Sequence, residues 1–179
     1  DTTQKWAKED NLGWSVYGTP IESTTYKFAK ALHQFGYDKD YITNSIHVPV
    51  TEEIDPFEKL RIEGQLQKYS TGGNVNYVEA TDLTSNLDAV IEVMKGINDY
   101  SLYAEINSKH DYCYNCGSEV EQKIDENMDW YCPICGCKDQ KKLFHARRVC
   151  GYIGTGLFNK GRTADIKNRY VHVDNHEVQ

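Results

Sequence analysis

Two Cys-x-x-Cys pairs constrain this chain more than any other feature of its sequence. Cys113 pairs with Cys116 and Cys132 with Cys135, each pair is followed by glycine, and 15 residues separate the two. Two thiolates from each tight turn can complete a tetrahedron around one ion, and the glycine relieves crowding in the turn. All six cysteines lie between positions 113 and 150, whereas a secreted disulfide scaffold would spread them along the chain. We therefore expect a structural zinc ribbon in a reducing compartment.

Other roles for the four cysteines stay open. The Cys-Pro-x-Cys-Gly form also suits iron in a rubredoxin-like electron carrier, because the ligand type does not by itself choose the metal. A redox dithiol would not need a second matched pair. Four protein thiolates leave no position for substrate, so the site is expected to hold a fold. Cys137 is interpreted as a spare thiol, and His110 and His145 are not expected to be ligands.

The segment 1–110 alternates helical and extended patterns, which indicates an α/β fold with mainly parallel strands. Thr19 and Asp55 each begin a capping box with proline at the first helical position. The predicted elements are helices over 20–35 and 55–69, a third helix capped by Thr84 or Ser85 and reaching Ile97, and strands over 41–48, 75–79 and 100–106.

Apolar residues at helical spacing support the three helices, and those of the second helix are candidates for its buried side. These residues are Tyr26, Phe28, Ala29, Leu32 and Phe35, then Phe57, Leu60, Ile62 and Leu66, and then Leu87, Val90, Ile91, Met94 and Ile97. Three strands are too few for a sheet covered on both faces. We therefore expect this chain to be part of a longer protein, with more of the sheet upstream.

The start of the first predicted helix is also a candidate phosphate site. Helix N-termini offer free N–H groups and a favourable dipole, and hydroxyl groups can add hydrogen bonds. The candidate residues are Gly18, Thr19 and Ser23. Simple helix capping accounts for the same residues.

Charge is spread unevenly. The net charge of −7 argues against wholesale nucleic-acid binding, but residues 138–169 hold nine Lys and Arg against two acidic residues. Such a cluster could bind phosphates or an acidic partner, or it could simply be a solvated face. No apolar run approaches the roughly 18 residues of a membrane span, and the first residues carry no signal-peptide pattern. We expect a cytoplasmic protein without a membrane partner.

A second motif, Arg148-Val149-Cys150-Gly151-Tyr152, follows the cysteine pairs. Its Arg-Val-x-Gly-Tyr core resembles the glycyl radical motif. With the cysteine pairs upstream and Asn-Lys-Gly-Arg at 159–162 downstream, it resembles the C-terminus of the anaerobic (class III) ribonucleoside-triphosphate reductase family. The segments 13–23 and 41–50 are similar to this family as well.

The resemblance implies roles for single residues. Gly151 would lose a Cα hydrogen to a radical S-adenosylmethionine iron–sulfur activase and store the glycyl radical, because a residue without a side chain can flatten and be approached closely. The radical would generate a thiyl on a cysteine outside this chain, which takes the ribose 3′-hydrogen and starts loss of the 2′-hydroxyl, with formate as reductant. Cys150 is expected to have a packing role. Substrate phosphates would lie at the Thr19 helix start, and the basic cluster could help dock the activase.

The implied fold is the C-terminal part of a ten-stranded α/β barrel (1–110), followed by the zinc ribbon (111–140) and by the glycyl radical loop and tail (141–179). Ribonucleoside triphosphates would be the substrates, nucleotide effectors would bind an N-terminal part missing here, and the enzyme would be a homodimer.

Two rival functions remain at this point. Formate-lyase and dehydratase relatives share the glycine motif but typically lack the two Cys-x-x-Cys pairs. In a zinc-ribbon module that binds nucleic acid or protein, Gly151 would be only a residue of an ordinary turn. It predicts exposed aromatic residues on the ribbon, where Tyr112, Tyr114, Trp130 and Tyr131 lie, although acidic residues flank the cysteines and would repel phosphate.

Overall fold

The computed structural model describes residues 2–18, 22–43, 46–149, 151–156 and 158–175. The helices in these ranges are α1 (Thr2–Asp10), α2 (Glu22–His33), α3 (Pro56–Gln67), α4 (Leu87–Tyr100) and α5 (Lys160–Lys167). The strands are β1 (Asn76–Glu79), β2 (Ala104–Asn107), β3 (His110–Cys113), β4 (Ser118–Glu119), β5 (Lys123–Ile124), β6 (Trp130–Tyr131), β7 (Leu143–Arg148) and β8 (Ile153–Thr155). No helix within these ranges is long and apolar enough to cross a membrane.

Strands β1 and β2 form a parallel pair joined through α4, which confirms a mixed α/β layout. Their register places Tyr77 beside Glu105 and Val78 beside Ile106. All four residues of β1 are buried, as expected of a strand covered on both faces. The core of this unit consists of Leu60, Val78, Ala80, Leu83, Ala89, Val93 and Val173.

The three predicted helices are present as α2, α3 and α4, with one change of cap. The Asp55 carboxylate accepts from the N–H groups of Phe57 (2.9 Å) and Glu58 (3.1 Å), so this N-cap is as predicted. Helix α4 is capped by Asn86, whose side chain accepts from the Ala89 N–H at 3.1 Å. The predicted cap at Thr84 or Ser85 is wrong, and the Thr84 hydroxyl donates to Asp82 instead.

The largest apolar residues of α4 lie on its exposed side. Leu87, Ile91 and Met94 are 66%, 49% and 59% exposed, whereas Ala89, Val93 and Gly96 are buried. The cause is the close approach of α3 and α4. A Cβ built on Gly64 in α3 would lie 1.7 Å from the Tyr100 carbonyl oxygen, so small residues face this contact.

Helix α3 also buries polar groups in place of predicted apolar ones. Ile62 and Leu66 are 36% and 40% exposed, while Lys59, Glu63 and Gln67 are buried. Lys59 Nζ donates to Glu63 Oε2 at 2.8 Å and to the Tyr77 carbonyl at 2.9 Å, so its charge is paired inside the protein. Phe28 and Phe35 of the first predicted helix are likewise exposed at 56% and 76%.

The predicted strand over 41–48 is not a strand in its described residues. The Ile42 N–H donates to the Thr25 carbonyl of α2, and the Val48 N–H donates to Glu63 Oε1 at 2.9 Å. Asn44 and Ser45 lie outside the described residues. Because these amides bond to a carbonyl group of α2 and to a side chain, the β-rich sequence does not enter a strand ladder.

The second half of the chain forms an antiparallel sheet in the order β4-β3-β7-β8, beside the pair β5-β6. Cys113, Trp130, Cys132, Leu143 and Ile166 form its core. The chain then returns to the parallel unit, where Val173 bridges to Ala80 and accepts from the Thr81 N–H at 3.1 Å. The four-stranded sheet takes strands from both sides of position 140, and the division of the chain at 110 and 140 stays a prediction.

Candidate metal centre and glycine hairpin

The four cysteines predicted as ligands lie together. The Sγ atoms of Cys113, Cys116, Cys132 and Cys135 all lie within 4.8 Å of one another. Cys113 and Cys135 Sγ are 3.7 Å apart, as are those of Cys116 and Cys132. A Zn–S bond of about 2.3 Å gives a tetrahedral edge of roughly 3.8 Å, so the cluster has the dimensions of a zinc site.

Each cysteine pair is shaped by a turn that needs glycine. Gly117 and Gly136 have φ of +72° and +69°, a region that side chains disfavour. Their N–H groups donate at 2.8 Å to the carbonyls of Cys113 and Cys132. The predicted role of the glycine after each pair is confirmed.

The thiols differ in their electrostatics. Burial raises the pKa of Cys113 to about 12, because water is kept from the thiolate. The Cys137 backbone N–H and then the Asn115 side chain lower the pKa of Cys135 to about 6. A cation stabilises thiolates. A bound metal would therefore supply the positive charge that the buried Cys113 thiolate needs nearby.

The neighbouring histidines have other contacts. His110 is exposed on β3, and His145 is buried on β7. The His145 ring stacks on Trp130 with centroids 4.0 Å apart, and its Nε2 lies 2.7 Å from the Gly156 carbonyl oxygen. Burial lowers the pKa of His145. Trp130 is 4% exposed, which contradicts the exposed ribbon aromatics that the nucleic-acid-binding alternative predicts, although Tyr114 is 65% exposed.

Gly151 lies at the tip of the hairpin formed by β7 and β8. Arg148 pairs with Ile153 across the strands, and the Val149 N–H donates to the Tyr152 carbonyl at 2.9 Å. Gly151 and Tyr152 are exposed, and Val149 is fully buried beneath them. Cys150 lies outside the described residues.

The basic cluster predicted around Gly151 is internal in part. Four of its nine members are buried and paired with acids: Arg147 with Asp111, Arg148 with Glu105, Arg162 with Asp165, and Arg169 with Glu79 and Asp165. A buried charge needs a partner, and these acids provide it. The prediction that the basic cluster helps to dock the activase is therefore wrong for these four arginines.

The predicted phosphate site is only partly described. The Gly18 N–H donates to the Gly73 carbonyl at 2.9 Å, so it is not a free donor. Thr19 and the side chain of Ser23 lie outside the described residues. The role of Thr19 and Ser23 stays a prediction.

Sequence reasoning missed the partners that join the hairpin to its surroundings. Glu105 on β2, Asp111 on β3 and Trp130 on β6 contact Arg148, Arg147 and His145. Adjacent arginines in the strand 143–148 are a signal that acidic partners lie on both sides of this strand, because alternate residues of a strand face opposite sides. The sequence does not indicate which acids these are.

The fold and the site define a mixed α/β protein in which a four-cysteine ribbon carries an exposed glycine hairpin. A sequence model described as anaerobic ribonucleoside-triphosphate reductase matches residues 1–172, and the chain belongs to this family. It is 36% identical over 178 residues to the anaerobic ribonucleoside-triphosphate reductase of Enterobacteria phage T4, covering 94% of this chain and 29% of that protein. It is 31% identical over 183 residues to that of Escherichia coli K12, covering 97% and 26%.

Solved structures agree in fold. A structure described as an anaerobic ribonucleotide reductase superposes with a TM-score of 0.70 at 19% identity, covering 95% of this chain and 26% of the other. The anaerobic ribonucleotide reductase from Thermotoga maritima in complex with dATP and CTP gives 0.60 at 19% identity, covering 86% and 24%. The chain thus spans about a quarter of the length of its relatives.

Proposed function

We propose that this chain is the C-terminal part of an enzyme that reduces ribonucleoside triphosphates to 2′-deoxyribonucleoside triphosphates without oxygen. Gly151 stores a glycyl radical in this proposal. The observation that carries it is the position of Gly151 at the tip of a hairpin whose strand β7 pairs with β3, the strand that ends at Cys113 of the four-cysteine cluster. Family membership supports the reaction class.

The chemistry needs a backbone carbon that an external radical can reach. A radical S-adenosylmethionine activase removes one hydrogen atom from the Gly151 Cα, and the remaining electron is shared with the flanking amides. Gly151 later takes a hydrogen atom from a cysteine thiol outside this chain and leaves a thiyl. The thiyl takes the ribose 3′-hydrogen, the 2′-hydroxyl leaves as water, and formate supplies the reducing electrons.

The rest of the chain supports that hairpin. Residues 1–110 belong to a ten-stranded α/β barrel, 111–140 to a zinc ribbon, and 141–179 to the radical loop and tail. Zinc has a structural role, because four thiolates leave it no open position. Thr19 and Ser23 contact substrate phosphate at the start of α2.

The complete enzyme is a cytoplasmic homodimer. Its partners are the activase, the triphosphate substrates and nucleotide effectors bound by the N-terminal part, and neither membrane nor nucleic acid is among them. The Thermotoga maritima relative was solved with dATP and CTP, which is in keeping with nucleotide ligands in this family.

Electron paramagnetic resonance tests the radical directly. Full-length protein is incubated without oxygen with its activase, S-adenosylmethionine and a reductant. The expected spectrum is a glycine-type doublet that is absent from Gly151→Ala and present in Gly13→Ala, since a Cβ on Gly13 meets nothing within 4 Å. A missing doublet in the wild type, or one that survives in Gly151→Ala, would overturn the proposal.

Air supplies a second readout. Oxygen is expected to cleave the activated chain at Gly151 and to leave Gly151→Ala intact. Mass spectrometry of the fragments locates the cut. An intact chain from fully activated wild-type protein would contradict the assignment of the radical to Gly151.

A further inference from the structure

We infer that Arg148, Glu105 and Tyr77 form a latch that holds the Gly151 hairpin against the parallel sheet. The latch rests on the proposed function, because its role is to position the stored radical for reaction. Arg148 and Glu105 are positioning residues in this inference, because they act through the hairpin.

The latch spans both parallel strands. Arg148 is the last residue of β7, its side chain is 4% exposed, and its guanidinium forms an ion pair with Glu105 on β2. The Arg148 Cζ also lies 5.4 Å from the centre of the Tyr77 ring on β1. Tyr77 and Glu105 are register partners, so one guanidinium contacts two neighbouring strands at the same level.

The hairpin is short enough to pass a movement of Arg148 on to Gly151. Arg148 is three residues before Gly151, and it pairs with Ile153 two residues after it. The Val149 N–H closes the turn on the Tyr152 carbonyl at 2.9 Å. A shift of Arg148 away from Glu105 therefore moves the tip away from the sheet.

The hairpin is held more firmly to the ribbon than to the sheet. Arg147 and Asp111 form two hydrogen bonds of 2.5 and 2.6 Å, with side chains 3% and 0% exposed. His145 adds its contact with the Gly156 carbonyl. These contacts keep the hairpin on the ribbon sheet, since both begin and end within residues 110–156.

Some hydrogen-bond donors of the latch have no partner in the part of the chain that the structure describes. Arg148 Nε and Nη2 have no hydrogen-bond partner among the described residues, and the Glu105 side chain is 34% exposed. A buried guanidinium with unpaired donors loses part of the stabilisation that its ion pair provides, because those donors would be hydrated in an open state. Because the ion pair of Arg148 is offset in part by its unpaired donors, the hairpin can open toward an activase and return, while Arg147 stays bound to Asp111.

The test uses Glu105→Gln in the full-length protein. This change removes the charge that Arg148 needs but keeps a polar group of the same shape, which can still accept from the Tyr103 hydroxyl now 2.9 Å from Glu105 Oε1. Two quantities are measured: glycyl radical per chain after a fixed activation time, and deoxyribonucleotide formed per radical. We expect radical formation at or above the wild-type level and about a tenfold fall in product per radical, the size of a lost charge-assisted hydrogen bond.

Matched variants separate a latch from a structural role. Arg148→Gln is expected to behave like Glu105→Gln, and Arg148→Lys to recover part of the product per radical because it keeps the charge. Glu58→Gln breaks the exposed Arg61–Glu58 pair and is expected to match the wild type in both readings. Hydrogen exchange of the amides at 149–153 is expected to rise in Glu105→Gln and not in Glu58→Gln.

Three results would overturn the latch. Unchanged product per radical in Glu105→Gln would show that Arg148 does not position the hairpin. A parallel fall in radical, product and thermal stability would show that Glu105 only supports the fold. A wild-type protein that forms no radical would overturn the proposed function and the latch with it, which distinguishes that failure from a failure of the latch alone.

Discussion

Arg147 and Asp111 form a buried ion pair between β7 and β3, with Nη1–Oδ1 and Nη2–Oδ2 distances of 2.5 and 2.6 Å. Asp111 also accepts from the Gln122 N–H at 2.8 Å, so one carboxylate joins two strands and the following loop. The pair lies between the cysteine ribbon and the strand that leads to Gly151. It thus connects the four-cysteine cluster to the hairpin.

Replacing Asp111 by asparagine should destabilise the protein strongly. The change leaves the Arg147 charge buried without a counter-charge, which costs about 3–5 kcal/mol in comparable buried pairs. Urea unfolding followed by tryptophan fluorescence measures the loss. Glu58→Gln, in the exposed pair with Arg61, should leave the unfolding midpoint unchanged. Equal midpoints for Asp111→Asn and the wild type would contradict the importance of the pair.

Zinc should bind in a ratio of about one ion per chain and depend on Cys132 but not on Cys137. Cys132 is one of the four clustered thiols, whereas Cys137 contributes its backbone to the turn. We expect Cys132→Ser to lose the metal, because serine is a poor zinc ligand and three thiolates remain. Metal analysis by plasma mass spectrometry gives the ratio. Full zinc in Cys132→Ser, or iron in the wild type, would show that the site is misassigned.

Removing the metal from the wild type should change the tryptophan fluorescence. Trp130 packs in the same core as Cys113 and Cys132, so loss of the ion is expected to loosen its surroundings. A chelator titration followed by emission detects this change, and added zinc should reverse it. An unchanged spectrum in metal-free protein would mean that the ribbon folds without the ion.

Local chemistry made parts of this structure predictable. The cysteine spacing, the glycines after each pair and the Asp55 cap depend on residues close in sequence, and each has the predicted geometry. The strand predicted over 75–79 is found at 76–79, whereas the one predicted over 100–106 begins only at Ala104, because α4 continues to Tyr100. The motif around Gly151 indicates the family, but neither the hairpin that carries Gly151 nor its strand pairing is predicted from the sequence.

Contacts between distant residues could not be read from the pattern. Leu87, Ile91 and Met94 have helical spacing, yet the tight approach of α3 at Gly64 turns the small residues of α4 inward. The arginines near Gly151 looked like a surface patch because their acids, such as Glu79 and Glu105, are far away in sequence. Periodicity reports which residues share a face, but the partner that covers a face is set by the tertiary fold.

Gly64→Ala should destabilise the contact between α3 and α4. The added methyl group would lie 1.7 Å from the Tyr100 carbonyl oxygen, and a backbone atom cannot move aside as a flexible side chain can. Overpacking of this kind typically costs about 1–3 kcal/mol, although alanine favours helix by itself. Thermal unfolding monitored by circular dichroism checks the change. Gly13→Ala is the control, since its new Cβ meets nothing within 4 Å. A Gly64→Ala protein as stable as the wild type would contradict the helix packing.

Mild acid should weaken the attachment of the C-terminal tail through His172. This side chain is 7% exposed, and its Nδ1 accepts from the Glu79 N–H at 3.0 Å. Burial, followed by the nearby Lys59 charge, lowers the pKa of His172 to about 4 from 6.5. The unfolded chain therefore binds the proton more readily, and stability that is complete above pH 6.5 is lost as the pH falls toward 4, by roughly 3 kcal/mol in all. Urea unfolding from pH 7.5 to pH 5 measures the slope. His172→Asn keeps an acceptor near the Glu79 N–H without the titration and should flatten the profile, whereas His33→Asn, at an exposed position, should not. If the unfolding free energy of His172→Asn depends on pH with the same slope as that of the wild type, then protonation of His172 is not the cause of the acid sensitivity.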